Sequence, residues 1–256
     1  VIRDVAASYR RALAETVRHY SGWLPDAATV DGLKAEGRWN NDWDASLELL
    51  RRHGQDPLPD RDSLIGVFSG FYFGGDPLGD PLQWTGFIGH EPLLVEPVLF
   101  EQLDRADVAW GFVSGAEPPS ARYVLEERLG LADPPLVAMG DAPDKPDPTG
   151  LLRLARQLAG TELGTGSSPP VAYLGDTVAD VLTVVGARQV QPQQTFLALA
   201  VAPPHLHGSS LARRRYEDSL RKSGADAVIS STGSVLESLE RLLAPSRLIA
   251  PSPRGS

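Results

Sequence analysis

Apolar residues recur at helical spacing from the start of the chain. Val5, Tyr9, Leu13 and Val17 share one face of "DVAASYRRALAETVRHY", with Asp4 in position to cap it. Farther on, "TVDGLKAEGRWNNDWDASLELLRRHG" reads as two short helices joined at "EGRWNND". The second is expected from about Asp44 to His53, stopped by Gly54. "QDPLPDRDSL" opens another helix, followed by the Gly-, Pro- and aromatic-rich "FSGFYFGGDPLGDPLQWTGFIGH". Roughly the first ninety residues show no sustained apolar–polar alternation and therefore predict helices and loops.

From about Ala106 the pattern changes. "DVAWGFVS", "PLVAMG", "PVAYLGD", "TFLALAVAP" and "DAVISS" are short apolar runs bounded by turn residues. Helical stretches lie between them: "SARYVLEERLG", "PTGLLRLARQLAG", "VADVLTVVGA" and "SLARRRYEDSLRKSG". Strands alternating with helices predict an α/β fold with a parallel sheet covered on both faces. "TGSVLESLERLLA" supplies a last helix, with Thr232 or Ser234 as its cap. "GTELGTGSSPP" reads as a flexible loop, and residues 245–256, "PSRLIAPSPRGS", as a disordered tail.

Composition narrows the function classes. A formal charge of −9 over 256 residues argues against nucleic acid or an anionic membrane as partner, since both need a basic face. The absence of cysteine removes disulfides and thiolate chemistry and suits a cytoplasmic enzyme. No apolar run approaches the length of a membrane span, and no secretory signal is present.

In a parallel α/β sheet, ligands bind outside the carboxyl ends of the strands, so the residues just after each apolar run carry the chemistry. Ser114 and Gly115 follow "WGFV", offering a hydroxyl and a backbone N–H that an anion can approach closely. Asp176 follows "VAYLG", with Asp180 four residues on, which sets both carboxylates on one side of a helix start. Lys145 is presented by the proline-stiffened "GDAPDKPDP". Taken singly, Asp176 is as readily a turn, Ser114 a cap and Lys145 a solvated charge. Together they suit a phosphate and Mg²⁺, an ion that takes carboxylate oxygens, waters and phosphate oxygens.

"FVSG", "DKPDP" and "LGDTVAD", in that order, resemble the second, third and fourth motifs of the haloacid dehalogenase-like (HAD) phosphohydrolase superfamily, over nearly all of residues 106–230. The resemblance implies a Rossmann-like three-layer core with an inserted helical cap. It gives Ser114 a hydrogen bond to the transferring phosphoryl group, beside Gly115, and makes Lys145 a bridge between that group and a nucleophilic carboxylate. It makes Asp176 a ligand of Mg²⁺ and has Asp180 complete or orient the metal's shell. The substrate implied is a small phosphorylated metabolite, hydrolysed through an aspartyl-phosphate.

The family's first motif, D-x-D-G, supplies that nucleophile and a general acid and base, and it does not occur in this chain. "VIRDVAASYRRAL" resembles the stretch just downstream of the motif in the family, with Asp4 as a residue of that stretch. The expectation is therefore a nucleophile upstream of Val1, a missing first strand and an inactive chain. A natural non-catalytic relative that binds a phosphorylated ligand or a partner protein is the competing reading. A phosphomutase shares every motif here.

By the same resemblance, residues 1–11 are a linker, 12–90 the cap, a lid that excludes water, and 91–244 the core. In the lid, Trp39 and Trp43 bracket Asn40 and Asn41, a flat apolar surface with amides suited to a polar substrate; the two tryptophans equally suit packing inside the lid. A phosphonate hydrolase would need a lid lysine, and Lys34 is the one available. His205 and His207 lack a third metal ligand nearby and read as loop residues at the crevice rim. Arg213–Arg215 reads as a solvated face that can also meet a second anionic group on the substrate. Oligomeric state is left open.

Overall fold

The computed structural model describes residues 1–166 and 168–244; the expected tail at 245–256 lies outside them. Four helices come first: α1 (Tyr9–Ser21), α2 (Ala27–Lys34), α3 (Asp42–His53) and α4 (Arg61–Tyr72). Short 3₁₀ turns at Pro81–Gln83 and Phe87–His90 lead to α5 (Val98–Arg105). Ala12, Leu13, Val17, Ala45, Leu50, Leu64, Phe68 and Tyr72 are completely buried and make one core for this helical unit.

Local sequence explains the helix ends. The Asn41 side chain accepts from the backbone N–H groups of Trp43 and Asp44, so α3 begins two residues before the expected Asp44. Gly54 ends it in the left-handed conformation (φ +86°). The first helix departs further from its pattern, starting at Tyr9 with Ser8 at its cap position, while Asp4 caps a tight turn through Ala6 N–H. The cause is long-range. Arg3 pairs antiparallel with Leu93, Asp4 N–H donates to the Pro92 carbonyl, and Leu94 N–H donates to the Ile2 carbonyl. That pairing needs extended backbone where helical spacing alone suggests a helix.

The second half alternates as expected: β1 (Phe112–Val113), α6 (Pro118–Arg122, continuing as a π-wound turn, Tyr123–Arg128), β2 (Leu136–Val137), α7 (Thr149–Ala159), β3 (Val171–Gly175), α8 (Val178–Val190), β4 (Phe196–Val201), α9 (Ser210–Lys222), β5 (Ala227–Ile229) and α10 (Val235–Leu243). Every strand pairing is parallel. The strands form two sheets, β1–β2 and β3–β4–β5. Between them runs a cavity of about 840 Å³, lined on one side by Trp110–Ser114 and on the other by Val171–Asp176. The facing edges of β1 and β3 thus have no strand partner among the described residues, an unusual state for backbone inside a protein. Leu151 and Leu154 of α7 and Leu236 and Leu239 of α10 give the cavity apolar walls.

Candidate active site

The polar end of the cavity lies at the carboxyl ends of β1 and β3. Ser114, Gly115, Lys145, Asp176 and Asp180 all line it. Ser114 is fixed by its N–H, which donates to the Val137 carbonyl, and its hydroxyl oxygen accepts from Ala116 N–H at 3.1 Å.

Gly175 must be glycine: a Cβ there would come within 2.1 Å of the Asp180 Cβ. This close approach lets the chain turn sharply from β3 into α8. Thr177 and Asp180 then cap α8 reciprocally. Asp180 N–H donates to Thr177 Oγ1 at 3.2 Å, and Thr177 N–H donates to Asp180 Oδ2 at 2.9 Å. Asp180 Oδ2 also accepts from Thr177 Oγ1 and from Asp176 N–H. Its other oxygen accepts from Lys145 Nζ at 2.5 Å and from the Tyr173 hydroxyl at 3.1 Å.

The two aspartates therefore differ in what they have left to offer. Asp180 is buried and its carboxylate accepts five hydrogen bonds, so it orients the turn and Lys145 rather than presenting a free oxygen. Asp176 is partly exposed to the cavity, and among the described residues its carboxylate meets only the Val1 ammonium, at 3.5 Å. Burial by itself would push the Asp180 carboxyl up, but the Lys145 ammonium and the Thr177 hydrogen bonds hold it below the ordinary carboxylate range. For Lys145, burial disfavours the charge and the adjacent Asp180 more than offsets it, so the amine is held protonated. Among the described residues no three acidic or histidine side chains cluster as a ready-made metal cage. Asp176 offers a single carboxylate with one long ionic contact, which fits an ion that keeps several waters and borrows substrate oxygens.

The helical unit contributes Tyr9, Arg10, Lys34, Asn40 and Asp42 to the same cavity. The Asn40 amide nitrogen lies 3.1 Å from where a Cβ on Gly115 would be, so this side chain closes over the turn after β1. Asn41 is occupied elsewhere: besides capping α3, its amide donates to Asp144 Oδ2 at 3.0 Å, tying α3 to the loop that carries Lys145. Trp39 and Trp43 do not line the cavity. They pack on the helical core, with Trp39 Nε1 donating to Glu36 and the Arg61 guanidinium over Trp43. Their spacing reflects packing.

Lys34 Nζ donates to the Asn40 carbonyl at 2.9 Å and pairs with Asp42 at 2.7 Å. His205 reaches the rim, where its Nε2 lies 3.2 Å from both oxygens of Asp31, which also pairs with Arg10. His207 instead bonds to the Ala202 carbonyl, and Arg213 pairs along its own helix with Glu217.

Tyr173 escaped the reading of the sequence, although a signal was present. A tyrosine in the otherwise aliphatic "VAYL" has a hydroxyl that must find a partner once the strand is buried. Arg10 and Asp31 carried no comparable local signal.

No family model matches the chain. A curated protein of Phytophthora nicotianae, imidazoleglycerol-phosphate dehydratase, is 28% identical over 186 residues, or 71% of this chain. The match spans 38% of that protein's length. Solved structures superpose as well, two of them as follows. Phosphatase Tt82 from Thermococcus thioreducens gives a TM-score of 0.59 at 22% identity, covering 86% of this chain and 95% of its own. A phosphonoacetaldehyde hydrolase-like protein from Oleispira antarctica gives 0.64 at 17% identity, covering 95% and 90%. At these identities the likeness is one of fold. Among the described residues no helix is long and apolar enough to cross a membrane.

Proposed function

We propose that this chain, which carries the HAD-like fold of both solved structures, is the phosphate-handling part of a Mg²⁺-dependent phosphohydrolase acting on a small phosphorylated metabolite. One observation carries the reading: Ser114, Lys145 and Asp176, from three separate segments, converge on the polar end of one cavity.

In this reading the Ser114 hydroxyl and the Gly115 N–H donate to phosphoryl oxygens. The Lys145 ammonium, aimed by Asp180, offsets the charge that builds on those oxygens. Asp176 would hold Mg²⁺, which when bound neutralises phosphate charge and steadies the in-line geometry. We take residues 12–90 as the lid, 1–11 as its linker and 91–244 as the core. Asn40 would then exclude water above the phosphoryl group.

The nucleophile is assigned to a strand lying between β1 and β3. Support comes from the two unpaired parallel edges and from the apolar walls between them. A D-x-D-G at that strand's carboxyl end would bring its first carboxylate beside Asp176 and Lys145. Its oxygen would attack phosphorus as the ester oxygen leaves, and water would then hydrolyse the aspartyl-phosphate. The chain from Val1 alone is expected to be inactive. The lysine-dependent alternative, a phosphonate hydrolase, draws on Lys34 at the cavity wall. Its amine is paired with Asp42, which suits a cation that binds substrate better than an amine that attacks a carbonyl.

Release of phosphate from a generic aryl phosphate tests the proposal, comparing the chain from Val1 with one carrying a D-x-D-G strand ahead of it. Activity confined to the longer chain, dependent on Mg²⁺ and abolished by Asp176→Asn, is the expected result. Full activity of the chain from Val1 would refute the assigned mechanism. Phosphate binding without turnover in either chain would favour the non-catalytic binding protein. Transfer of phosphate between two positions of a sugar phosphate in place of release would favour a phosphomutase. Inactivation by borohydride in the presence of an aldehyde-bearing phosphonate would favour the Lys34 reading.

A further inference from the structure

Four segments meet at the hydroxyl of Tyr173. Its oxygen lies 3.2 Å from Lys145 Nζ, 3.1 Å from Asp180 Oδ1 and 3.2 Å from the Val113 carbonyl oxygen. An ammonium only donates, so the phenol oxygen accepts from Lys145. Its single proton then has two acceptors within reach, the Asp180 carboxylate and the Val113 carbonyl. The hydroxyl thus links β3, the loop bearing Lys145, the start of α8 and the end of β1, next to Ser114.

We propose that Tyr173 is a positioning residue that fixes the direction of the Lys145 ammonium relative to the Ser114–Gly115 turn. Asp180 alone cannot do this. A single contact to Oδ1 sets where the ammonium sits and leaves it free to rotate about that contact. A second contact, to an atom anchored on β3, removes the rotation and directs the remaining N–H of Lys145 away from both partners, which leaves it for a ligand in the cavity that all three side chains line. What Lys145 is aimed at rests on the phosphohydrolase reading; the aiming itself does not.

The Tyr173 ring packs against the core around β3 and β4, so Tyr173→Phe keeps the packing and removes only the oxygen. The first readout is the lysine ammonium signal of the whole chain by NMR, assigned by its loss in Lys145→Met. Proton exchange from Lys145 should quicken about tenfold in Tyr173→Phe, the equivalent of losing one hydrogen bond to a charged group. Unchanged exchange would overturn the proposal. The second readout is inorganic phosphate affinity by calorimetry, which should fall by a similar factor. If the wild type takes up no phosphate while the lysine signal still responds, the positioning role stands and the phosphohydrolase reading falls. If wild type and variant bind phosphate equally and the lysine signal is unmoved, the positioning role falls and the reading stands.

Discussion

Two buried ion pairs in this protein are each braced by a tyrosine, and they serve different ends. At the junction of the helical unit with the rest, Arg3 pairs with Glu91 at 2.5 Å, Tyr72 donates to Glu91, and Ser8 and Ser120 complete the set. At the strand ends, Lys145 pairs with Asp180 at 2.5 Å and Tyr173 bonds to both. The Glu91 side chain is fully enclosed, and its network joins the two chain segments that cross between the units. The Lys145 pair likewise joins a cation, a carboxylate and a tyrosine, but it sits with Asp176 and Ser114 at the strand ends of the cavity. The first pair holds parts together; the second holds a charge ready. The two pairs are almost equally enclosed, 10% and 0% exposed against 13% and 4%, so their place in the fold separates the roles more than burial does.

Breaking the pairs should separate them further. Glu91→Gln leaves Arg3 buried without its counter-charge, and a loss of about 3 to 5 kcal/mol is expected in urea unfolding. Asp180→Asn should cost somewhat less, about 3 kcal/mol, because Lys145 lines the cavity and can turn into it. Only this variant should also abolish the binding of inorganic phosphate. Equal effects of both variants on phosphate binding would erase the distinction between them. Asn41→Ala, which removes the cap of α3 and the tie to Asp144, should cost about 1 kcal/mol in thermal unfolding.

Glu117 shows what a carboxylate does in such a setting without a cation. Among the described residues its Oε2 is buried with no hydrogen-bond partner, and burial pushes its carboxyl from 4.5 up to about 7. The raised value means that the folded protein holds this proton while the unfolded chain releases it. Stability should therefore fall as pH rises from about 4.5 to about 7, by a modest amount because the group is partly solvated. Glu117→Gln should flatten that slope and raise the melting temperature above neutral pH. The same slope in wild type and variant would contradict the assignment.

Much of this arrangement was legible in the sequence where the cause is local. Gly54 stops α3 where the sequence placed its end, because capping acts within a turn, whereas Asn41, read as a substrate contact, caps the other end. Strand–helix alternation after Ala106 set out the α/β half, and the residues after "WGFV" and "VAYLG" do line one cavity. The T-x-x-D of Thr177 and Asp180 also carried the cap that absorbs Asp180, a signal that the strand-end position makes resemble metal chemistry alone. What stayed hidden depends on distant partners. Residues 2–4 are extended because 92–94 lie beside them, and Glu91 is buried because Arg3 reaches it. The division into two sheets with a cavity between β1 and β3 is likewise a property that no residue pattern within either strand encodes.

The central claim is that Ser114, Lys145 and Asp176 form one phosphate site, and calorimetry of inorganic phosphate with and without Mg²⁺ tests it most directly. The account predicts binding that Mg²⁺ strengthens in the wild type, that Asp176→Asn makes insensitive to Mg²⁺, and that Lys145→Met removes. Phosphate affinity unchanged by Lys145→Met would contradict it.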